Sequence, residues 1–203
     1  MNRILLACLL AYAPLVFADT LTQDSELVQT CGACHGIDGN SVLPMVPNLA
    51  GQLSGYLLYE MNAFKTHDRV DPMMDDIMDP LTERQIYDLV KYYKAQKFVP
   101  MPPAEPLDPQ LVAAGKKLYT QEITEVGLSC ADCHGANAMG VVNFGMLKDF
   151  PRLAGEKYDY LVSNLTQYAN RSKHHSLLGM RQVAASLNEQ EIKELASYLS
   201  SLQ

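Results

Sequence analysis

The chain has 203 residues, with 16 Lys+Arg against 23 Asp+Glu, 48% hydrophobic residues, five Cys, ten Met and no Trp. Its 19% charged residues and net charge of −7 leave enough apolar material for a packed core and exclude a disordered chain. A pI near 5.1 argues against nucleic-acid binding, because no basic surface is available to neutralise a run of phosphates.

Taken from the N-terminus, Arg3 precedes an uncharged stretch from Ile4 to Ala18, and Asp19 begins ordinary polar sequence. Val16 and Ala18 put small residues at the −3 and −1 positions of a cleavage site, so residues 1–18 read as a secretory signal peptide. The apolar run is short for a membrane span, although an uncleaved leader would act as an anchor. Cys8 belongs to this segment and is expected to be discarded with it, leaving an exported chain of 185 residues.

The remaining cysteines form two Cys-x-x-Cys-His motifs, CGACH at Cys31, Cys34 and His35, and CADCH at Cys130, Cys133 and His134. A disulfide framework, a zinc or thioredoxin-type site, and covalent c-type haem attachment compete for this pattern. A chain this long does not need staples, and a two-residue gap makes a poor loop-closing disulfide. Thioredoxin-like motifs need no following His and belong in βαβ patterns, which are not found here. Haem attachment uses every residue: two thiols hold the macrocycle and the adjacent imidazole ligates the iron. The expected cofactors are therefore two covalently bound haem c groups.

The chain also repeats itself. The motifs lie 99 residues apart, Pro47-Asn48-Leu49-Ala50-Gly51 matches Pro151-Arg152-Leu153-Ala154-Gly155 at an offset of 104, and the last helices coincide at 106. In those helices Ile86, Leu89, Val90 and Tyr93 fall on one face, repeated by Ile192, Leu195, Ala196 and Leu199. Thr82 with Gln85, and Asn188 with Glu191, mark their starts. In the loop ahead of the caps Met74 falls on Met180, whereas Met73 would fall on Gly179 and Met78 on Ala184. Met74 and Met180 are accordingly the expected thioether ligands, in preference to methionines that merely fill core gaps. His67, His174 and His175 are the candidates for histidine ligation instead, but none is repeated at the matching position.

With CGACH followed by Gly36-Ile37-Asp38-Gly39-Asn40, the two Pro-x-Leu-Ala-Gly segments, and Met180-Arg181-Gln182-Val183-Ala184 before the last helix, the chain resembles the dihaem cytochromes c4 over residues 19 to 203. The resemblance implies an all-α fold of two tandem class I cytochrome c domains, each a small helical bundle around a covalent haem. It further implies that the backbone carbonyls of Pro47 and Pro151 accept a hydrogen bond from the proximal histidines, fixing their tautomer. The N-terminal domain is expected over residues 19–99, a Pro-rich linker over 100–107, and the C-terminal domain over 108–203, opened by Asp108 with Pro109 at the first helical position. The prolines should hold the linker extended and stiff.

Charge differs between the halves: 6 Lys+Arg against 12 Asp+Glu in residues 19–100, and 9 against 11 in residues 101–203. The acidic half is expected to favour basic partners and to hold its haem at the lower potential. The resemblance implies single-electron transfer in the bacterial periplasm, with a quinol-oxidising complex upstream, a terminal oxidase downstream, and possible peripheral membrane association. The rival reading is a cytochrome subunit of a sulfide- or thiosulfate-oxidising enzyme, or a dihaem peroxidase. A catalytic haem normally needs an exchangeable position or an unusual ligand, and two Met ligands with no spare thiol argue against that.

Overall fold

The computed structural model describes residues 21–103, 106–123, 126–142, 149–170 and 178–203. The leader with Cys8, together with His174 and His175, lies outside these residues. Among the described residues every regular element is a helix, as expected, with two isolated β-bridges pairing Ile123 with Leu128 and Val141 with Phe150.

Four helices come first: α1 (Glu26–His35), α2 (Ser54–Lys65), α3 (Pro72–Met78) and α4 (Glu83–Ala95). Five follow: α5 (Pro109–Thr120), α6 (Cys130–His134), α7 (Tyr158–Ala169), α8 (Leu178–Ala185) and α9 (Glu189–Ser201). The bounds of α7 are those of α2 shifted by 104 residues, and the bounds of α9 are those of α4 shifted by 106. The internal repeat of the sequence is thus a repeat of helices.

Local chemistry sets the helix starts. The Thr82 hydroxyl accepts from Gln85 N while Gln85 Oε1 accepts from Thr82 N, and Asn188 and Glu191 exchange the same two bonds. Two of the orphan N–H or flanking groups at each helix start are satisfied this way. Asp108 accepts from Gln110 N with Pro109 in the first turn of α5, and Asp71 accepts from Met73 N and Met74 N with Pro72 in the first turn of α3.

Two separate cores form. Ile86, Leu89, Val90 and Tyr93 of α4 pack with Val28, Leu57 and Met78; Leu195, Ala196 and Leu199 of α9 pack with Tyr119 and Leu161. Each fully buried Leu or Ile contributes about 1.5–3 kcal/mol, so the face of each capped helix is the main cohesive surface of its unit. In the second unit α5 crosses α9 at Gly115, where a Cβ would overlap the Glu194 carbonyl.

Two local expectations need correction. Each domain of the resembled family is expected to have a helix leading into its haem motif; that helix is continuous only in the first unit, whereas in the second α5 ends at Thr120 and the motif begins a helix of its own, capped by Ser129 with Asp132. The intervening residues make a turn at Gly127, whose φ of 69° breaks the helical path. Met74 and Met180 stand on the short helices α3 and α8 rather than in open loops.

The units meet through loops. Residues 97–103 carry no regular element; Phe98 packs on Gly51 and Gly155, and the Arg152 guanidinium lies 3.4 Å from the Phe98 ring centroid. Around it Gln52 Nε2 donates to Arg152 O at 3.1 Å, Arg152 Nη2 donates to Ala50 O at 3.2 Å, and Asn48 Nδ2 donates to Glu156 at 2.8 Å. Lys157 Nζ reaches Asn48 Oδ1 at 3.0 Å, and Asp149 accepts from Gly55 N in the first turn of α2. Asn48, Gln52, Arg152, Glu156 and Lys157 are all buried, and their polar groups are held mainly by one another, with Arg152 Nε left without a partner.

Candidate cofactor sites

In the last turn of α1, Cys31 and Cys34 are three residues apart and so share a helix face, and His35 closes the helix. Gly36 follows at φ 81°, a conformation that lets the chain turn away directly after the histidine. Cys130, Cys133, His134 and Gly135 at φ 82° reproduce the arrangement on α6.

Both histidines are buried, and each ring is held from behind. His35 Nδ1 lies 2.9 Å from Pro47 O, and His134 Nδ1 lies 3.0 Å from Pro151 O. A carbonyl only accepts, so Nδ1 carries the proton and the Nε2 lone pair is left for a metal. Burial pulls His35 below its ordinary pKa despite the Pro47 bond, which keeps the imidazole neutral as ligation requires.

The position of each proline is set by a matching turn. Gly39 O accepts from Leu49 N and Ala50 N at 2.8 and 3.0 Å, and Ala138 O accepts from Leu153 N and Ala154 N at the same distances. Gly39 has φ 77°; Ala138 takes the same region at 55°, where a Cβ is disfavoured. Pro151 follows its histidine by seventeen residues and Pro47 by twelve, yet both carbonyls arrive at Nδ1. The Val141–Phe150 bridge closes the longer loop.

The four cysteines form no disulfide. Burial pushes the Cys31 thiol up and pushes Cys130 up to about 11; Cys133 rises through burial and the neighbouring Asp132. Redox Cys-x-x-Cys sites depress a thiol pKa, and the surroundings of Cys31, Cys130 and Cys133 work in the opposite direction. No group of three or more His, Cys, Asp or Glu among the described residues could hold a metal ion, which leaves a zinc reading without its ligand set.

Of the three neighbouring methionines, Met73 is 64% exposed, Met78 is 2% exposed inside the first core, and Met74 is half-buried against that core. Met180 is half-buried on α8. His67 has Nδ1 3.7 Å from Asp75 and Nε2 3.3 Å from Asp79, so both of its ring nitrogens face carboxylates on and after α3. Two thiols and a neutral imidazole nitrogen in each unit are the groups that attach and ligate a c-type haem, and each unit also carries a half-buried methionine of the kind that can ligate iron.

Supporting groups that the sequence reading did not single out surround both sites. Ser41 Oγ donates to Cys34 O at 2.9 Å, Tyr119 Oη to Gly135 O at 2.6 Å, and Tyr92 Oη to Ile37 O at 3.0 Å. Arg69 Nη1 donates to Glu60 at 2.7 Å; burial works against its charge, but Tyr160 of the second unit and Glu60 hold it firmly protonated. Asn48 and Gln52, with Arg152 and Glu156, occupy matching positions of the two repeats, and their polarity within otherwise apolar segments was the available signal.

The cytochrome c family model matches residues 25–97 and 112–203. Cytochrome c4 of Stutzerimonas stutzeri is 33% identical over a 218-residue alignment that covers 100% of both chains. The crystal structure of reduced recombinant cytochrome c4 from Pseudomonas stutzeri superposes with a TM-score of 0.75 at 31% identity, covering 87% of this chain and 95% of that one. A thiosulfate dehydrogenase electron acceptor of Thiomonas intermedia is 28% identical over 85% of this chain and 78% of its own length. With two matched halves and a full-length relative at this identity, the chain belongs to the cytochrome c family as a dihaem cytochrome c4, an electron carrier rather than an enzyme, with two covalently bound haem c groups and other redox proteins as partners.

Proposed function

We propose that Cys31 and Cys34 attach the first haem, with His35 and Met74 on its iron, and that Cys130 and Cys133 attach the second, with His134 and Met180. The observation that carries this reading is the duplicated bond from each motif histidine to a proline carbonyl, at 2.9 and 3.0 Å. Haem supplies an iron that alternates between ferrous and ferric states at nearly constant geometry. The chain orients each imidazole and keeps its Nε2 unprotonated, and Met74 and Met180 would supply the thioethers that complete the hold on a bound haem.

The carrier works in the periplasm, between a quinol-oxidising complex and a terminal oxidase. Supporting export is the leader pattern of residues 1–18; no helix among the described residues is long and apolar enough to cross a membrane. The thiosulfate dehydrogenase electron acceptor is a relative at lower identity, and its role is that of an electron-accepting partner.

The ligand assignment is tested by the weak long-wavelength absorption band that sulfur ligation gives ferric haem. Met74→Ala and Met180→Ala should each remove half of it, while Met73→Ala leaves it whole. A band that stays whole in Met74→Ala and falls by half in Met73→Ala or Met78→Leu refutes the first assignment.

A further inference from the structure

The peptide unit joining Pro47 to Asn48 is hydrogen-bonded at both ends. Its C=O accepts from His35 Nδ1 at 2.9 Å, and its N–H, on Asn48, donates to the two Glu156 oxygens at 3.2 and 3.1 Å. Glu156 belongs to the opposite unit. The peptide joining Pro151 to Arg152 has the mirrored arrangement: its C=O accepts from His134 Nδ1 at 3.0 Å, and Arg152 N donates to Gln52 Oε1 at 2.9 Å. At the repeat offset of 104, position 48 corresponds to 152 and position 52 to 156. Each motif histidine is therefore joined, through a single peptide, to a side chain of the other unit. The two links differ in the group that supplies the acceptor, since a carboxylate backs His35 and a neutral amide backs His134, and in the residue that donates, Asn48 on one side and Arg152 on the other.

Glu156 is a pure acceptor in this setting. Besides Asn48 N, its oxygens receive Asn48 Nδ2 at 2.8 Å and Lys157 N at 2.9 Å; burial pushes its pKa up, and these donors together with the neighbouring Arg152 and Lys157 cations favour the carboxylate form. A carboxylate on the N–H end of a peptide polarises the unit and adds negative charge to its carbonyl oxygen. That strengthens the bond to Nδ1–H, gives the imidazole more anionic character, and raises its donor strength toward a metal.

We propose that Glu156 and Gln52 are positioning residues acting across the domain seam, with Glu156 making His35 a stronger iron donor than His134 and so holding the first haem at the lower reduction potential. This rests on the reading of His35 and His134 as iron ligands. It goes beyond the general acidity of the N-terminal half by naming one carboxylate, supplied by the other half, and the bonds that carry its influence.

The test is a site-resolved redox titration of the intact dihaem protein with Glu156→Gln, an isosteric change whose Oε1 can still accept from Asn48 N. The first potential should rise with the second unmoved, shifting the electron's distribution between the haems about tenfold, or about 59 mV for a one-electron couple. The His35 Nδ1 proton resonance in the reduced protein should move with it. Gln52→Glu reverses the experiment: it should lower the second potential and shift the His134 resonance, and it serves on its own if Glu156→Gln does not assemble. Potentials that stay put, move together, or move without the Nδ1 resonance overturn the proposal. In every variant the long-wavelength band should persist; its loss in the native protein refutes the ligand reading instead, which separates the two failures.

Discussion

Ser41 is 1% exposed, and its hydroxyl serves two backbone groups, donating to Cys34 O and accepting from Leu43 N. Ser41→Ala removes that hydroxyl and leaves a buried carbonyl and an N–H unpaired. The expected loss is about 1–3 kcal/mol, read as a lower denaturation midpoint of the holoprotein with the second haem's spectrum unchanged. Residues of this kind show where sequence is informative and where it is not. Cys31, Cys34 and His35 were legible because covalent attachment and ligation demand those residue types at fixed local spacing. Pro47 and Pro151 were legible through resemblance, since nothing in a proline announces that its carbonyl faces a histidine 12 or 17 residues earlier. Asn48, Gln52, Arg152 and Glu156 were not legible, because their partners lie 100 to 108 residues away and an isolated polar residue carries no mark of its eventual neighbour.

At the scale of elements, the capped helices α4 and α9 were the most legible part of the fold. Their apolar spacing and cap chemistry are local, and both agree with the packing observed. Thr82→Ala should cost about 1 kcal/mol, measured by denaturant unfolding, and Thr82→Ser should recover most of it. The break between α5 and α6 is hidden in the sequence because an insertion conceals itself in a repeat: the motif persists, and only the path into it lengthens. The α5–α9 crossing was equally hidden, since Gly115 inside a helix reads as a weak position. In the structure it is where the backbones touch. Gly115→Ala should therefore destabilise the second unit by about 1–3 kcal/mol, although Ala is the better helix former; a stabilised variant would show that the helices do not approach this closely.

For the whole molecule, charge is the property that partners meet first. Asp71, Asp75, Asp76 and Asp79 concentrate negative charge on and beside α3, with His67 between Asp75 and Asp79. Exchange of electrons with a basic redox protein should slow as ionic strength rises and the Debye length falls below about 10 Å. Replacing Asp75, Asp76 and Asp79 with Asn should flatten that dependence; a native protein whose exchange rate is indifferent to salt rules out electrostatic docking at this face.

The seam between the units has one more consequence. Its bonds pair position 48 of one repeat with the counterpart of 52 in the other, and 52 with the counterpart of 48, which is the contact rule of a symmetric homodimer. In a homodimer one codon writes both copies, so both contacts must change together. Joining the copies in a single chain lifts that constraint: Gln52 and Glu156 are the same place in the ancestral pattern, now free to hold an amide on one side and an acid on the other. A symmetric pair of carriers would have no preferred direction for an electron, and tandem duplication is the step that permits one.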